Sequence, residues 1–305
     1  MIDLLQKINE LPLVTSFEHH FVNELQLIVE SFTDKKFINI DNNLLHIGKE
    51  NIVYVAHYDE IGFIIDNHYH KNIYRTIPMG LISWQYGYGR VYQTIYKNEK
   101  IYAIGSSPIP HAKPADERLF LEVLYDEELP ALWPFSFENK MIKTNLGLYT
   151  KSLDDKAGVV AILEMLKEKD ISVLLTAGEE QGTTRLENTI RYISSKINNP
   201  LYIIIDATFS SEDYHVESGI PDGEIGYTAI EGGGVGNKAP KELIDYVKKF
   251  TDIEIKTTTR YEVTDATTFW RRGAKAISIQ YSLKYLHSPL EYISFKTYEK
   301  IKSII

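Results

Sequence analysis

His57 and Asp59 stand two residues apart at the end of the apolar run 52–56. At that spacing a carboxylate can accept the second ring N–H of a metal-binding histidine and fix its tautomer. Further along, Glu179 and Glu180 follow the apolar run 171–175 after the turn Thr176, Ala177, Gly178. Asp206 follows the run 201–205, His287 comes soon after the run 276–279, and Asp154 with Asp155 opens a helical pattern. Imidazole nitrogens and carboxylate oxygens suit zinc and similar divalent ions, and a carboxylate can bridge two of them. Two ions about 3.5–4 Å apart can share a water and lower its pKa toward neutrality. Glu179 and Glu180 are adjacent and point in different directions, so one can bind metal while its neighbour takes the water's proton as a general base. Singly, each group has a plainer reading. A lone histidine is most often a surface or core residue, Asp206 alone is a cap or turn residue, Glu179 with Glu180 is a solvated loop, and Asp154 with Asp155 answers the positive end of a helix dipole. Their convergence from five separate elements on one rim is what makes a site.

That convergence requires an α/β layer architecture with a mostly parallel central sheet, because ligands in such folds bind outside the carboxyl ends of the strands. The four apolar runs read as strands buried on both faces. Between them, 154–169 reads as a helix led by acidic residues, with Val159, Ile162, Leu163 and Leu166 as its buried stripe. Leu186, Ile190, Ile193 and Ile197 mark a second helix, and Leu243, Val247 and Phe250 mark a third that starts near Pro240. At the start of the chain, Phe17, Phe21, Leu25, Ile28 and Phe32 put one apolar stripe on a helix, and 36–47 reads as a hairpin turning at Asp41, Asn42 and Asn43. From about residue 66 to 149 the pattern changes to short strands rich in Tyr, Ile and Val, such as 91–96 and 101–104 joined by a turn at 97–100. Pro108, Pro110 and Pro114 mark a loop in that stretch. We therefore expect a discontinuous catalytic domain, 1–65 and 150–305, interrupted by a small β domain at 66–149.

The chain has 305 residues, of which 44% are apolar, enough for a sizeable core. Its formal net charge of −9 argues against nucleic acid and anionic membrane as partners. Cysteine is absent, so disulfides, a thiol nucleophile and thiolate metal sites are excluded. The first twenty residues lack the pattern of a signal peptide, and no apolar run reaches the length of a membrane span, which points to the cytoplasm. Gly232, Gly233, Gly234 and Gly236 do not fit the spacing of a phosphate or dinucleotide loop and read as a tight turn. His68 and His70 read as exposed residues.

In order along the chain, VAHYDEIGF, SLDDKAG, LLTAGEE, IIIDAT, TDAT and YLHSP resemble the motifs of glutamyl aminopeptidases and tetrahedral aminopeptidases, from about Asn51 onward. The resemblance implies a metallo-aminopeptidase with two co-catalytic ions, a phosphorylase/hydrolase-like catalytic domain and an inserted PDZ-like β domain used in subunit assembly. By the same match His57 and Asp206 are ligands of one ion, Glu180 and His287 are ligands of the other, and Asp154 bridges them. Glu179 matches the general base, Asp59 the acid that orients His57, and Asp265 a supporting residue near the site or the substrate. Zinc is the implied metal, with cobalt and manganese as alternatives, and the implied assembly is a homo-oligomer from dimer to dodecamer. Lys156 and Gln181 depart from the residues common at their positions, and the segment after Asp206 also differs.

The chemistry expected is removal of the N-terminal residue from peptides with a free amine, by a water activated between two metals, with Glu179 as base. Two other readings exist. A glycosidase using paired carboxylates needs no metal and leaves the two histidines without a purpose. An inactive relative kept for binding or assembly would not need a candidate at every ligand position.

Overall fold

The computed structural model describes residues 1–82, 87–106, 119–182, 184–213, 219–231, 238–255 and 263–304. The chain opens with helices α1 (Ile2–Glu10) and α2 (Val22–Thr33), strands β1 (Ile38–Ile40) and β2 (Asn43–His46), and strand β3 (Ile52–His57). Six strands follow: β4 (Gly62–His70), β5 (Ile73–Met79), β6 (Val91–Tyr96), β7 (Glu99–Ser106), β8 (Phe120–Val123) and β9 (Pro134–Phe137). Next come β10 (Ile142–Lys143), β11 (Gly147–Thr150), α3 (Leu153–Glu168), β12 (Ser172–Thr176), α4 (Glu187–Lys196), β13 (Leu201–Phe209) and β14 (Ile225–Thr228). The last elements are α5 (Lys241–Val247), α6 (Asp265–Arg271), β15 (Lys275–Leu283), β16 (Glu291–Ser294) and α7 (Phe295–Lys302).

The central sheet has seven strands in the order β1-β2-β12-β3-β13-β15-β14. Its middle four, β12, β3, β13 and β15, run parallel, while β2 and β14 flank them antiparallel. Successive side chains on a strand face opposite ways. Tyr54, Ala56, Ile203, Ile205, Ile277 and Ile279 therefore pack into one core with α1, α2, α3, α5 and α7, whereas Val53, Val55, Tyr202 and Ile204 pack into another with Ile193 of α4 and Phe269 of α6. The result is a mixed α/β fold with helices on both faces of a partly parallel sheet. Helix α3 is buried on nearly every side from Leu153 to Leu163, as an apolar helix in the middle of a core must be.

Strands β4 to β9 close into a barrel in the order β4-β5-β8-β7-β6-β9, around a separate core that includes Phe63, Tyr92, Leu121 and Phe135. Closure leaves no free sheet edge. The β6–β7 hairpin turns at Lys97 and Asn98, both with positive φ, which matches the strand twist. His68 and His70 are exposed on β4. No helix among the described residues is long and apolar enough to cross a membrane.

Several local expectations are corrected. The N-terminal stripe is not one helix: Ser16 takes a left-handed φ of 67°, a short 3-10 turn spans Glu18–His20, and α2 begins only at Val22. Strand β13 does not stop at residue 205. It runs to Phe209 because its pairing with β15 continues from Leu201↔Lys275 to Phe209↔Leu283, so Asp206 lies within the strand. Asp154 and Asp155 do not lead a regular helix either, since their φ/ψ values of −80°/112° and −106°/28° are non-helical. The proline loop at Pro108, Pro110 and Pro114 and the glycine run at Gly232 to Gly236 lie outside the described residues.

Candidate metal centre

Strand pairing delivers the site. In the β12–β3 register Thr176 lies opposite His57, so the turn after β12 begins beside the histidine that ends β3. Asp206 enters from β13, the next strand over. Asp154 comes from the irregular start of α3, and His287 from the connection between β15 and β16, with a left-handed φ of 58°.

Asp154 sits at the centre. Its Oδ1 lies 3.1 Å from His57 Nε2 and its Oδ2 lies 3.4 Å from His287 Nε2, so each carboxylate oxygen faces a different imidazole. Asp206 Oδ1 is 3.7 Å from His57 Nε2, and Glu180 Oε2 is 3.3 Å from His287 Nε2. Among the described residues, potential ligand atoms thus gather into two groups, His57–Asp154–Asp206 and Asp154–Glu180–His287, each with its atoms within 4.8 Å of one another. Glu179 Oε2 stands 4.0 Å from His57 Nε2, and its side chain is 16% exposed, which leaves it reachable from the rim. Asp59 Oδ1 is 3.5 Å from His57 Nδ1.

The turn carrying Glu179 and Glu180 is fastened at every residue. Gly178 takes a φ of 84°, which glycine adopts without steric cost. Ala177 N donates to Asn43 Oδ1 at 3.1 Å, and the Glu18 carboxylate takes backbone hydrogen bonds from Ser16 and Gly178. Glu179 N and Glu180 N donate to the two oxygens of Asp59, each at 3.2 Å. Asp265 closes the turn, accepting the hydroxyls of Thr176 at 2.6 Å and Thr184 at 2.7 Å. Asp265 is thus 3% exposed and behind the turn.

Electrostatics explain why such a cluster calls for cations. Burial pushes the Asp206 carboxyl up to about 7, with Asp154 adding to the rise and His57 opposing it. Burial also pushes Glu179 well above the usual carboxylate range, with Asp206 adding to it and His57 opposing it. Asp154 is pushed up by burial, yet its contacts with His287 and His57 outweigh that and hold it low. Carboxylates crowded around two imidazoles, with oxygen and nitrogen donors pointing inward, form a donor set that fits hard or borderline divalent ions.

Sequence reasoning missed several supports. Asp155 Oδ2 accepts the backbone N–H of His57 at 3.2 Å, and its Oδ1 accepts the Tyr281 hydroxyl at 2.7 Å. Glu291 accepts the backbone N–H groups of Asp154 and His287. Beneath the site, Glu60 is fully buried with two lysines: Lys151 Nζ at 2.9 Å and Lys156 Nζ at 3.0 Å from its Oε2. Lys156 is the unusual residue of SLDDKAG, and this ion pair gives it a role. A buried lysine is legible in sequence only as an ordinary surface charge.

Comparison with known proteins finds one peptidase family and several peptidase structures similar to this chain. The profile of the M42 glutamyl aminopeptidase family matches residues 132–304. An aminopeptidase from the archaeon Desulfurococcus kamchatkensis superposes with a TM-score of 0.81 at 22% identity, covering 99% of this chain and 92% of that one. A TET aminopeptidase from a marine sediment archaeon of the Thaumarchaeota gives 0.82 at 16% identity, over 99% of this chain and 94% of that one. The Pyrococcus horikoshii TET1 peptidase gives 0.77 at 22% identity, over 99% and 97%. At these identities the structural likeness establishes the fold. No curated protein matches the chain significantly.

Proposed function

The chain belongs to the M42 glutamyl aminopeptidase family and is a metal-dependent aminopeptidase, and we propose that it works through a dinuclear site whose two ions would be held by two ligand groups with Asp154 common to both. The observation that carries this reading is the division of the Asp154 oxygens between His57 and His287. His57 and Asp206 complete one ligand set, Glu180 and His287 the other, and zinc suits both, with cobalt and manganese as alternatives. When bound, such ions lower the pKa of water and polarise the scissile carbonyl.

The chain's own residues do the rest. Glu179, partly buried but reachable from the rim, accepts the proton of the attacking water and returns it to the leaving amine. Asp59 sets the direction of Glu179 through its backbone and lies against His57. Asp265 acts from behind, through Thr176 and Thr184.

The substrate class is peptides with a free N-terminus. We assign residues 66–149 to an inserted, PDZ-like assembly domain and 1–65 with 150–305 to the catalytic domain. The Pyrococcus horikoshii TET1 peptidase assembles into a tetrahedron or a large octahedral shell, which supports a homo-oligomer here. We take the compartment to be the cytoplasm. Family membership does not favour the glycosidase alternative.

The test is turnover of matched peptides with free and blocked N-termini, with and without chelator. Cleavage of the free peptide alone, lost on chelation and restored by zinc, is expected. Cleavage of the blocked peptide, or full activity in chelator, contradicts the reading.

A further inference from the structure

Glu291 is 2% exposed and sits on β16, where the antiparallel pairing with β11 sets it opposite Thr150. From Thr150 the chain needs four residues to reach Asp154, and from His287 it needs four to return to Glu291. The register thus places one carboxylate between two loops far apart in sequence. Its Oε2 accepts the backbone N–H of Asp154 at 3.0 Å, and its Oε1 accepts the backbone N–H of His287 at 2.8 Å.

We propose that Glu291 is a positioning residue that holds the Asp154 and His287 loops at the separation required by the second ion, the one assigned to Asp154, Glu180 and His287. The proposal rests on the dinuclear reading above. His287 has a left-handed φ of 58°, a conformation unfavourable for a residue with a Cβ unless its surroundings hold it. Glu291 supplies that hold through the His287 N–H. Removing the carboxylate orphans two N–H donors together, and a buried donor without an acceptor drives local rearrangement. Both loops are freed. The Asp154 loop carries the ligand common to both ions, and the His287 loop carries a ligand of the second ion alone, so the second ion loses two supported ligands and the first only one. The second ion is therefore the more sensitive one.

Zinc titrated calorimetrically into metal-free protein tests this, with wild type, Glu291→Gln and Glu291→Ala compared. Wild type is expected to take two equivalents. Glu291→Ala should bind the second ion about 10- to 100-fold more weakly, the usual size of an outer-shell effect on a metal site, with the first much less affected. Glu291→Gln has the same shape and keeps one acceptor, so it should fall between and serves if the alanine variant fails to fold. Thermal unfolding of the metal-free forms reports on folding separately. An unchanged ratio of second-ion to first-ion affinity in a folded variant overturns the proposal, whatever its stability. Fewer than two ions on wild type overturns the dinuclear reading itself.

Discussion

Asp59 accepts the backbone N–H of Glu180 at 3.2 Å through Oδ2. Its other oxygen does the same for Glu179, so the carboxylate beside His57 also aims the proposed base and a proposed ligand. Asp59→Asn keeps only one acceptor for two N–H donors. We expect kcat to fall about 10- to 100-fold with KM nearly unchanged. Steady-state kinetics on an aminoacyl chromogenic substrate decides, and an unchanged kcat removes Asp59 from this role.

Glu179→Gln retains the shape of the side chain and loses the proposed proton acceptor. Turnover should drop by about 10²–10⁴-fold, the range typical of a general base, while bound zinc stays at the wild-type level by elemental analysis. Equal loss of metal and activity would instead make Glu179 a ligand.

Glu60 lends stability that depends on acidity. Burial raises its pKa, but Lys151 and Lys156, with the hydrogen bonds from Lys151 and Ser152, outweigh burial and hold it at about 2, below its ordinary 4.5. A folded value below the unfolded one means the contribution is complete above pH 4.5 and is lost as pH falls toward 2. Urea unfolding at stepped pH should show that loss in wild type and a shallower one in Glu60→Gln. At neutral pH the variant leaves two buried ammonium groups without a counter-charge, which costs about 3–5 kcal/mol. A cost near zero would contradict the buried pairing.

Gly158 should resist the usual helix-stabilising exchange. Alanine in a helix interior is normally better than glycine by about 1 kcal/mol. Here a Cβ would lie 2.3 Å from Asp155 Oδ1, the carboxylate group that holds the His57 backbone and the Tyr281 hydroxyl. Gly158→Ala is expected to lower the thermal midpoint and the activity together. A higher midpoint with full activity would show that Asp155 has room to move.

Much of this architecture was legible because it is written locally. The buried strands announced themselves as apolar runs, and the hairpin turn at Asp41 and Asn42 by residues that tolerate the positive φ they adopt. The length of β13 was not, since pairing with β15 carries the strand past Ile205 through Asp206, a residue that reads as a stop. The irregular backbone at Asp154 and Asp155 was hidden by the helical pattern around it. Asn43, Glu60 and Glu291 were invisible for a different reason. Each accepts a hydrogen bond from, or pairs with the charge of, at least one residue many positions away, and nothing in the neighbouring sequence signals a buried polar group's partner.

Anomalous diffraction at the zinc absorption edge, from crystals of the metal-loaded enzyme, tests the proposed role of Asp154 as a ligand common to two ions most directly. Two peaks are predicted, one among His57, Asp154 and Asp206 and one among Asp154, Glu180 and His287. A single peak, or zinc bound away from Asp154, would contradict it.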